Sequence, residues 1–209
     1  MSTGLTLDGL LEAADGALRT LFAPAHAERN PPLPAAEPLS EGDRRRAAGL
    51  MRVNHAGEVA AQGLYRGQAM LSRSPATRAL LQRAAAEEGD HLAWCEARLR
   101  ELDARPSRLN PFWYLGSLAL GAVAAALDDR ISLGFVAETE RQVEGHLSAH
   151  LRRLPAADAR SRKIVELMRD DEIRHGQTAS QAGAAALPAV VSALMRAASK
   201  VMTGTAYWI

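Results

Sequence analysis

"EGDH", residues 88–91, and "EIRH", residues 172–175, carry the pattern that decides how this 209-residue chain folds. In each, a glutamate stands three residues before a histidine, a spacing that puts both side chains on one face of an α-helix. Each motif also has a glutamate upstream at a similar distance: Glu58 lies 30 residues before Glu88, and Glu140 lies 32 residues before Glu172. The chain therefore reads twice as Glu, about thirty residues, Glu-x-x-His. A helix–turn–helix unit of that length returns antiparallel and sets residues thirty apart opposite each other. Two such units predict an all-α four-helix bundle whose centre receives four carboxylates and two imidazoles. That donor set is what a carboxylate-bridged pair of iron or manganese ions requires. On this reading Glu88 and Glu172 bridge the metals, Glu58 and Glu140 are terminal ligands, and His91 and His175 give one nitrogen to each.

The flanking residues support the assignment. Glu58 shares its helical stripe with Met51, Asn54, His55, Gln62 and Tyr65. Glu172 shares a stripe with Val165, Met168, His175 and Ala179, and Glu140 with Phe135, Val136, Val143 and Leu147. Charge on such apolar stripes is costly unless it is paired or metal-bound. "MRVNHAGEVAAQG", residues 51–63, adds an oddity, because Gly57 inside a helix costs about 1 kcal/mol relative to alanine. Its expected reason is the close approach of a neighbouring helix or of substrate beside Glu58. Gly57 and Gly145 together are expected to leave room near the acids for a flat ring.

Composition and punctuation complete the outline. Aromatic residues make up 4% of the chain, and its dominant residues favour helix over sheet. The net charge of +1 and scattered basic residues argue against a nucleic-acid partner. Cys95 is the only cysteine, which excludes an internal disulfide and suits a reducing compartment. "MSTGLTLDGLLEAADG" at the N-terminus has no basic region ahead of its leucines, so a secretory signal is not expected. Residues 5–22 read as a short amphipathic helix and "NPPLPAAEP", 30–38, as a linker, which gives an N-terminal segment 1–40 and a main domain 41–209. Helices are expected at about 42–72 with Ser40 as N-cap, 75–103, 114–153 with a division near Asp128-Asp129, 157–186 and 188–203. "NPFWYLGSLALGAVAAAL", 110–127, has sixteen uncharged residues from Phe112 to Leu127, short of the roughly 20 that a membrane span needs. Its aromatic start suits a membrane interface, and the 188–203 helix is expected to extend the same face.

Four stretches together, "MRVNHAGEVAAQGLYRGQ" (51–68), "EEGDHLAWCEARL" (87–99), "GFVAETERQVEGHLSAHL" (134–151) and "MRDDEIRHG" (168–176), resemble the demethoxyubiquinone hydroxylase family of ubiquinone biosynthesis. The resemblance runs from about residue 44 through the ending "MTGTAYWI". It implies a ferritin-like four-helix bundle with additional helices and two iron ions held by Glu58, Glu88, His91, Glu140, Glu172 and His175. The implied reaction is hydroxylation of 2-polyprenyl-3-methyl-6-methoxy-1,4-benzoquinol at its free ring carbon, with dioxygen as oxidant. No flavin or nicotinamide motif is visible, so the reductant is external or is the quinol itself. The long prenyl tail of that substrate implies a peripheral protein on the cytoplasmic side of a membrane. A homo-oligomer or a larger biosynthetic assembly is left open.

Several residues near the motifs have open roles. Among Glu138, Glu140, Glu144 and His146, the face and the resemblance both select Glu140; Glu144 is expected to be solvated and His146 to lie beside the site or on an exposed face. His55 is a candidate for orienting a ligand, and Asp171 for orienting a histidine across the bundle. Cys95 is expected to be a small buried hydrophobe. On residues alone two rivals stand beside the hydroxylase: another dimetal protein (ferroxidase, rubrerythrin-type peroxidase or manganese catalase) and a metal-free helical scaffold.

Overall fold

The computed structural model describes residues 7–36 and 38–209; the first two residues of the expected 5–22 helix, and the start of the stretch read for a secretory signal, lie outside them. Among the described residues there are seven helices and no strand: α1 (Leu7–Phe22), α2 (Glu41–Leu71), α3 (Pro75–Glu101), α4 (Asn110–Leu127), α5 (Asp129–Arg153), α6 (Ala159–Gln181) and α7 (Ala189–Ala206). The chain has the expected ferritin-like bundle, built from α2, α3, α5 and α6.

Local signals set the helix ends. Ser40 caps α2, its hydroxyl accepting from the Asp43 amide at 3.1 Å, and Ser74 caps α3 with Pro75 in the first turn. The division near Asp128-Asp129 is real: Asp128 leaves helical geometry, ends α4 and caps α5. The region 110–127 becomes helical four residues before the expected start, because Pro111 occupies a first turn where its missing N–H is harmless. The helix α6 stops five residues short of expectation, since Gly183 takes φ +98 just beyond Ala182.

Three residues join α2 to α3 and five join α5 to α6, and connections this short make each pair an antiparallel hairpin. Leu50, Met51, Trp94, Cys95, Leu99, Leu147, Ile164 and Met168 fill one end of the bundle. Leu64, Tyr65, Leu81, Leu133, Val136 and Ala179 fill the other. The carboxylates lie between these two layers.

The helix α4 leans on the outside of α2 at backbone distance. A Cβ built on Gly63 would stand 2.4 Å from the Tyr114 carbonyl oxygen, one on Gly67 2.1 Å from that of Leu118, and one on Gly121 2.2 Å from that of Leu64. These three glycines make the close helix approach. Gly57 does not: a Cβ there would meet nothing within 4 Å, so the expected helix contact at that position is absent. Gly145 is exposed with equally open surroundings, on the flank of α5 turned away from Glu140. With only Asn110, Tyr114, Gly121, Ala124 and Ala125 buried, α4 turns Phe112, Leu115, Leu120, Val123 and Leu127 outward. It meets the end of α7 where Trp113 packs with Ala206 and Tyr207, and α7 in turn exposes Val190, Leu194 and Val201.

Candidate metal centre

Glu58 from α2, Glu88 and His91 from α3, Glu140 from α5, and Glu172 and His175 from α6 converge in the middle of the bundle, and all six are buried. They form two overlapping groups. Glu58, Glu88, His91 and Glu172 each offer a ligand atom within 4.8 Å of the others, and so do Glu88, Glu140, Glu172 and His175. Glu88 and Glu172 belong to both groups, which is the place of a bridge; Glu58 and Glu140 belong to one each. Glu88 stands 2.9 Å from His91 Nδ1 and 3.1 Å from His175 Nδ1, and Glu172 stands 3.4 Å and 3.5 Å from the same two atoms.

Four atoms of this cluster make no well-aligned hydrogen bond: Glu88 Oε1, Glu140 Oε1, Glu172 Oε2 and His175 Nδ1, although the first and last stand 3.1 Å apart. Buried polar atoms left in this way are costly without a further partner. The donor set is hard carboxylate oxygen with one imidazole nitrogen in each group, a set that suits iron or manganese. Electrostatics agree. Burial, and then the charges of Glu88 and Glu172, push Glu58 well above the usual carboxylate range. Burial, and then Glu172, do the same to Glu140. Burial works against charge on Glu88 as well, yet the two histidines overcome it and hold Glu88 low. Against their own burial, His175 is pushed up to about 12 by Glu172 and Glu88, and His91 is raised by Glu88 and Asp171. The centre collects protons to balance its acids, and metal cations would replace those protons.

The outer nitrogen of each histidine is held from across the bundle. His91 Nε2 donates to Asp171 Oδ2 at 2.9 Å, as the sequence suggested for Asp171. His175 Nε2 donates to Glu87 Oε2, also at 2.9 Å. Each contact leaves Nδ1 turned toward the acids, where it could bind a metal. Glu87 escaped the sequence reading, although a signal was there: the residue before each motif glutamate is acidic, Glu87 before Glu88 and Asp171 before Glu172. Arg174 links the two supports, donating to Asp171 Oδ1 and Glu87 Oε2 at 2.7 Å each.

Other candidates are placed differently. His55 orients no ligand; its Nδ1 faces the Asn110 side chain at 3.3 Å, tying α2 to the start of α4, and burial lowers its pKa to about 4. His146 lies beside His150, ring centres 4.0 Å apart, and its Nε2 is buried without a partner. His150 Nδ1 in turn meets Asn54 Oδ1 at 2.7 Å, a link between α5 and α2 that the sequence did not reveal. Glu144 is half-buried, Glu138 pairs with Arg141 at 2.7 Å, and Cys95 is a buried neighbour of Met168.

Comparison with known proteins fixes the family. A family model described as ubiquinone biosynthesis protein COQ7 matches residues 45–206, which include all six converging side chains. The chain belongs to the COQ7 family. Similar relatives include the 3-demethoxyubiquinol 3-hydroxylase of Bordetella pertussis, 60% identical over 97% of this chain and 93% of the relative. The protein of the same name from Variovorax paradoxus is 59% identical over 98% of this chain and 99% of its own. That from Ralstonia pickettii is 57% identical over 97% of this chain and 100% of its own. The two Glu-x-x-His motifs of this COQ7 family member thus stand on its α3 and α6, facing each other.

Proposed function

We propose that this chain is a di-iron monooxygenase that hydroxylates a demethoxyubiquinol in ubiquinone biosynthesis, the reaction for which its relatives are named. One observation carries the reading: four buried carboxylates and two histidines meet at one centre, with atoms that lack a well-aligned hydrogen bond among them, on the fold of the COQ7 family. Glu58 and His91 would hold one iron, Glu140 and His175 the other, and Glu88 and Glu172 would serve both. A reduced iron pair supplies the electrons that activate dioxygen for attack on an electron-rich ring. The protein's own part is to keep the four acids dry and the two imidazoles aimed, through Asp171 and Glu87. The open flank of Gly57, one residue from Glu58, gives a flat quinol ring room to approach without displacing a side chain.

The substrate's prenyl tail calls for an apolar surface. The outward leucines, valine and phenylalanine of α4, continued by α7, support peripheral binding to a membrane, here proposed to be at its cytoplasmic face. At eighteen residues α4 is long and apolar enough to cross a membrane by length and composition alone, but it is committed to α2 through Gly63, Gly67 and Gly121. Electrons come from an external reductant or from the quinol. The test is turnover of a short-chain demethoxyubiquinol by iron-loaded protein under isotopically labelled dioxygen. The expected product carries one labelled oxygen on the ring. Oxygen consumption without ring hydroxylation would assign the bundle to a different dimetal chemistry.

A further inference from the structure

The segment between α1 and α2 crosses α3 and lands on the support of one metal-ligating histidine. Glu96 Oε2 accepts from the Ala25 amide at 2.9 Å, and Asp90 Oδ1 from the amides of Glu28 and Arg29 at 2.7 and 3.3 Å. The Trp94 indole N–H donates to the Arg29 carbonyl at 2.8 Å. Held at its backbone from both sides, Arg29 lays its guanidinium 4.8 Å from the centre of the Trp94 ring and donates Nη2 to Asp171 Oδ2. That oxygen is the one that receives His91 Nε2. Beyond Arg29, Leu33 packs on the core end of the bundle and fastens the far side of the crossing.

The other half of the centre has no counterpart among the described residues. Glu87, the support of His175, receives Arg174 but nothing from the crossing segment, and its side chain is 42% exposed against 6% for Asp171. Two nearly equivalent metal positions therefore differ in one respect. The Glu58/His91 position is closed by a strap with a cation at its tip, and the Glu140/His175 position is supported by a carboxylate in contact with water.

We propose that the strap 25–33 is a working part of the metal centre, with Arg29 as a positioning residue: by fixing Asp171 it locks His91 and makes the Glu58/His91 iron the slowly exchanging one of the pair. The Glu140/His175 iron is the exchangeable one. This rests on the di-iron reading above. The physical reason is that the outer partner of a metal-bound imidazole sets its orientation and basicity, and loss of such a partner weakens metal binding about 10- to 100-fold. Arg29 holds that partner in place and shields it from competing water.

The test challenges anaerobically ferrous-loaded protein with excess bipyridine and follows the coloured complex with time. Wild type is expected to release one equivalent quickly and one slowly. Arg29→Ala is expected to speed the slow phase about tenfold or more and leave the fast one alone. Arg29→Lys, which keeps the charge, should restore part of the delay. Glu87→Gln should speed only the phase that was already fast. A single phase in wild type, an unchanged slow phase in Arg29→Ala, or equal acceleration of both phases would each overturn the proposal. Trp94→Phe, which frees the Arg29 carbonyl and keeps a smaller aromatic ring beside its guanidinium, provides a second route to the slow phase if Arg29→Ala loses helix content. Wild type that fails to hold two irons overturns the di-iron reading itself, a result distinct from two irons leaving together.

Discussion

Replacing Gly67 by alanine tests the closest contact in the fold. The new Cβ would stand 2.1 Å from the Leu118 carbonyl oxygen and 2.9 Å from the Ala122 nitrogen. Both atoms belong to the backbone of α4, so no side chain can swing aside, and α4 must retreat by about an ångström to reach ordinary contact. Overpacking of this kind costs about 3 kcal/mol, and the better helix propensity of alanine returns about 1. The net loss is about 2 kcal/mol, which lowers the melting temperature by about 4–8 °C in a chain of this size. Gly57→Ala is the matched control, since its Cβ meets nothing within 4 Å and gains only the propensity term. It should melt about 2–4 °C above wild type. Thermal unfolding followed by circular dichroism reads both variants. A Gly67→Ala protein as stable as wild type would refute the close packing of α2 on α4.

Other outcomes follow from buried charge and exposed surface. Arg98 donates to Asp158 and Ser161 at 2.9 Å each inside the bundle end, so Arg98→Ala leaves the buried Asp158 with no cation and only the Ser161 amide as donor. It should cost about 3–5 kcal/mol in denaturant titration, while the folded fraction keeps its metal. Burial lowers His55 to about 4, so between that pH and about 6.5 the unfolded chain binds a proton that the folded chain refuses. Stability is therefore lost as pH falls through this window, by about 3 kcal/mol from His55 alone. Denaturation of His55→Gln should show a shallower pH dependence there than wild type, and parallel curves would contradict the burial argument. Leu115→Glu with Val123→Glu on the outer face of α4 should weaken sedimentation with anionic vesicles about tenfold or more and leave iron content unchanged. Undiminished binding would move the membrane face elsewhere.

Much of the bundle could be read in the sequence because its signals are local or paired. Ser40, Ser74 and Asp128 announce helix starts by their own chemistry, and the two Glu-x-x-His motifs with their upstream glutamates state which helices must face each other. The six converging residues follow from that spacing. What stayed hidden depends on partners in other segments. Gly57, Gly63 and Gly67 look alike in the sequence, and only the path of α4 separates the open one from the two in contact. His55 near Glu58 invited a role beside a ligand, but Asn110 from a distant helix takes its ring nitrogen. Arg29 sits in a proline-rich linker with no helical period, and nothing local says that it ends on Asp171. Glu87 was within reach through the repeated acidic pair, had the two halves been aligned one residue further.

Metal content tests the di-iron centre most directly. Protein loaded anaerobically with ferrous iron and freed of excess should retain two irons per chain. Glu172→Gln, which removes one of the two acids shared by both groups at nearly constant volume, should lose most of it. Less than one iron per chain in both proteins would show that the converging acids hold no di-iron centre.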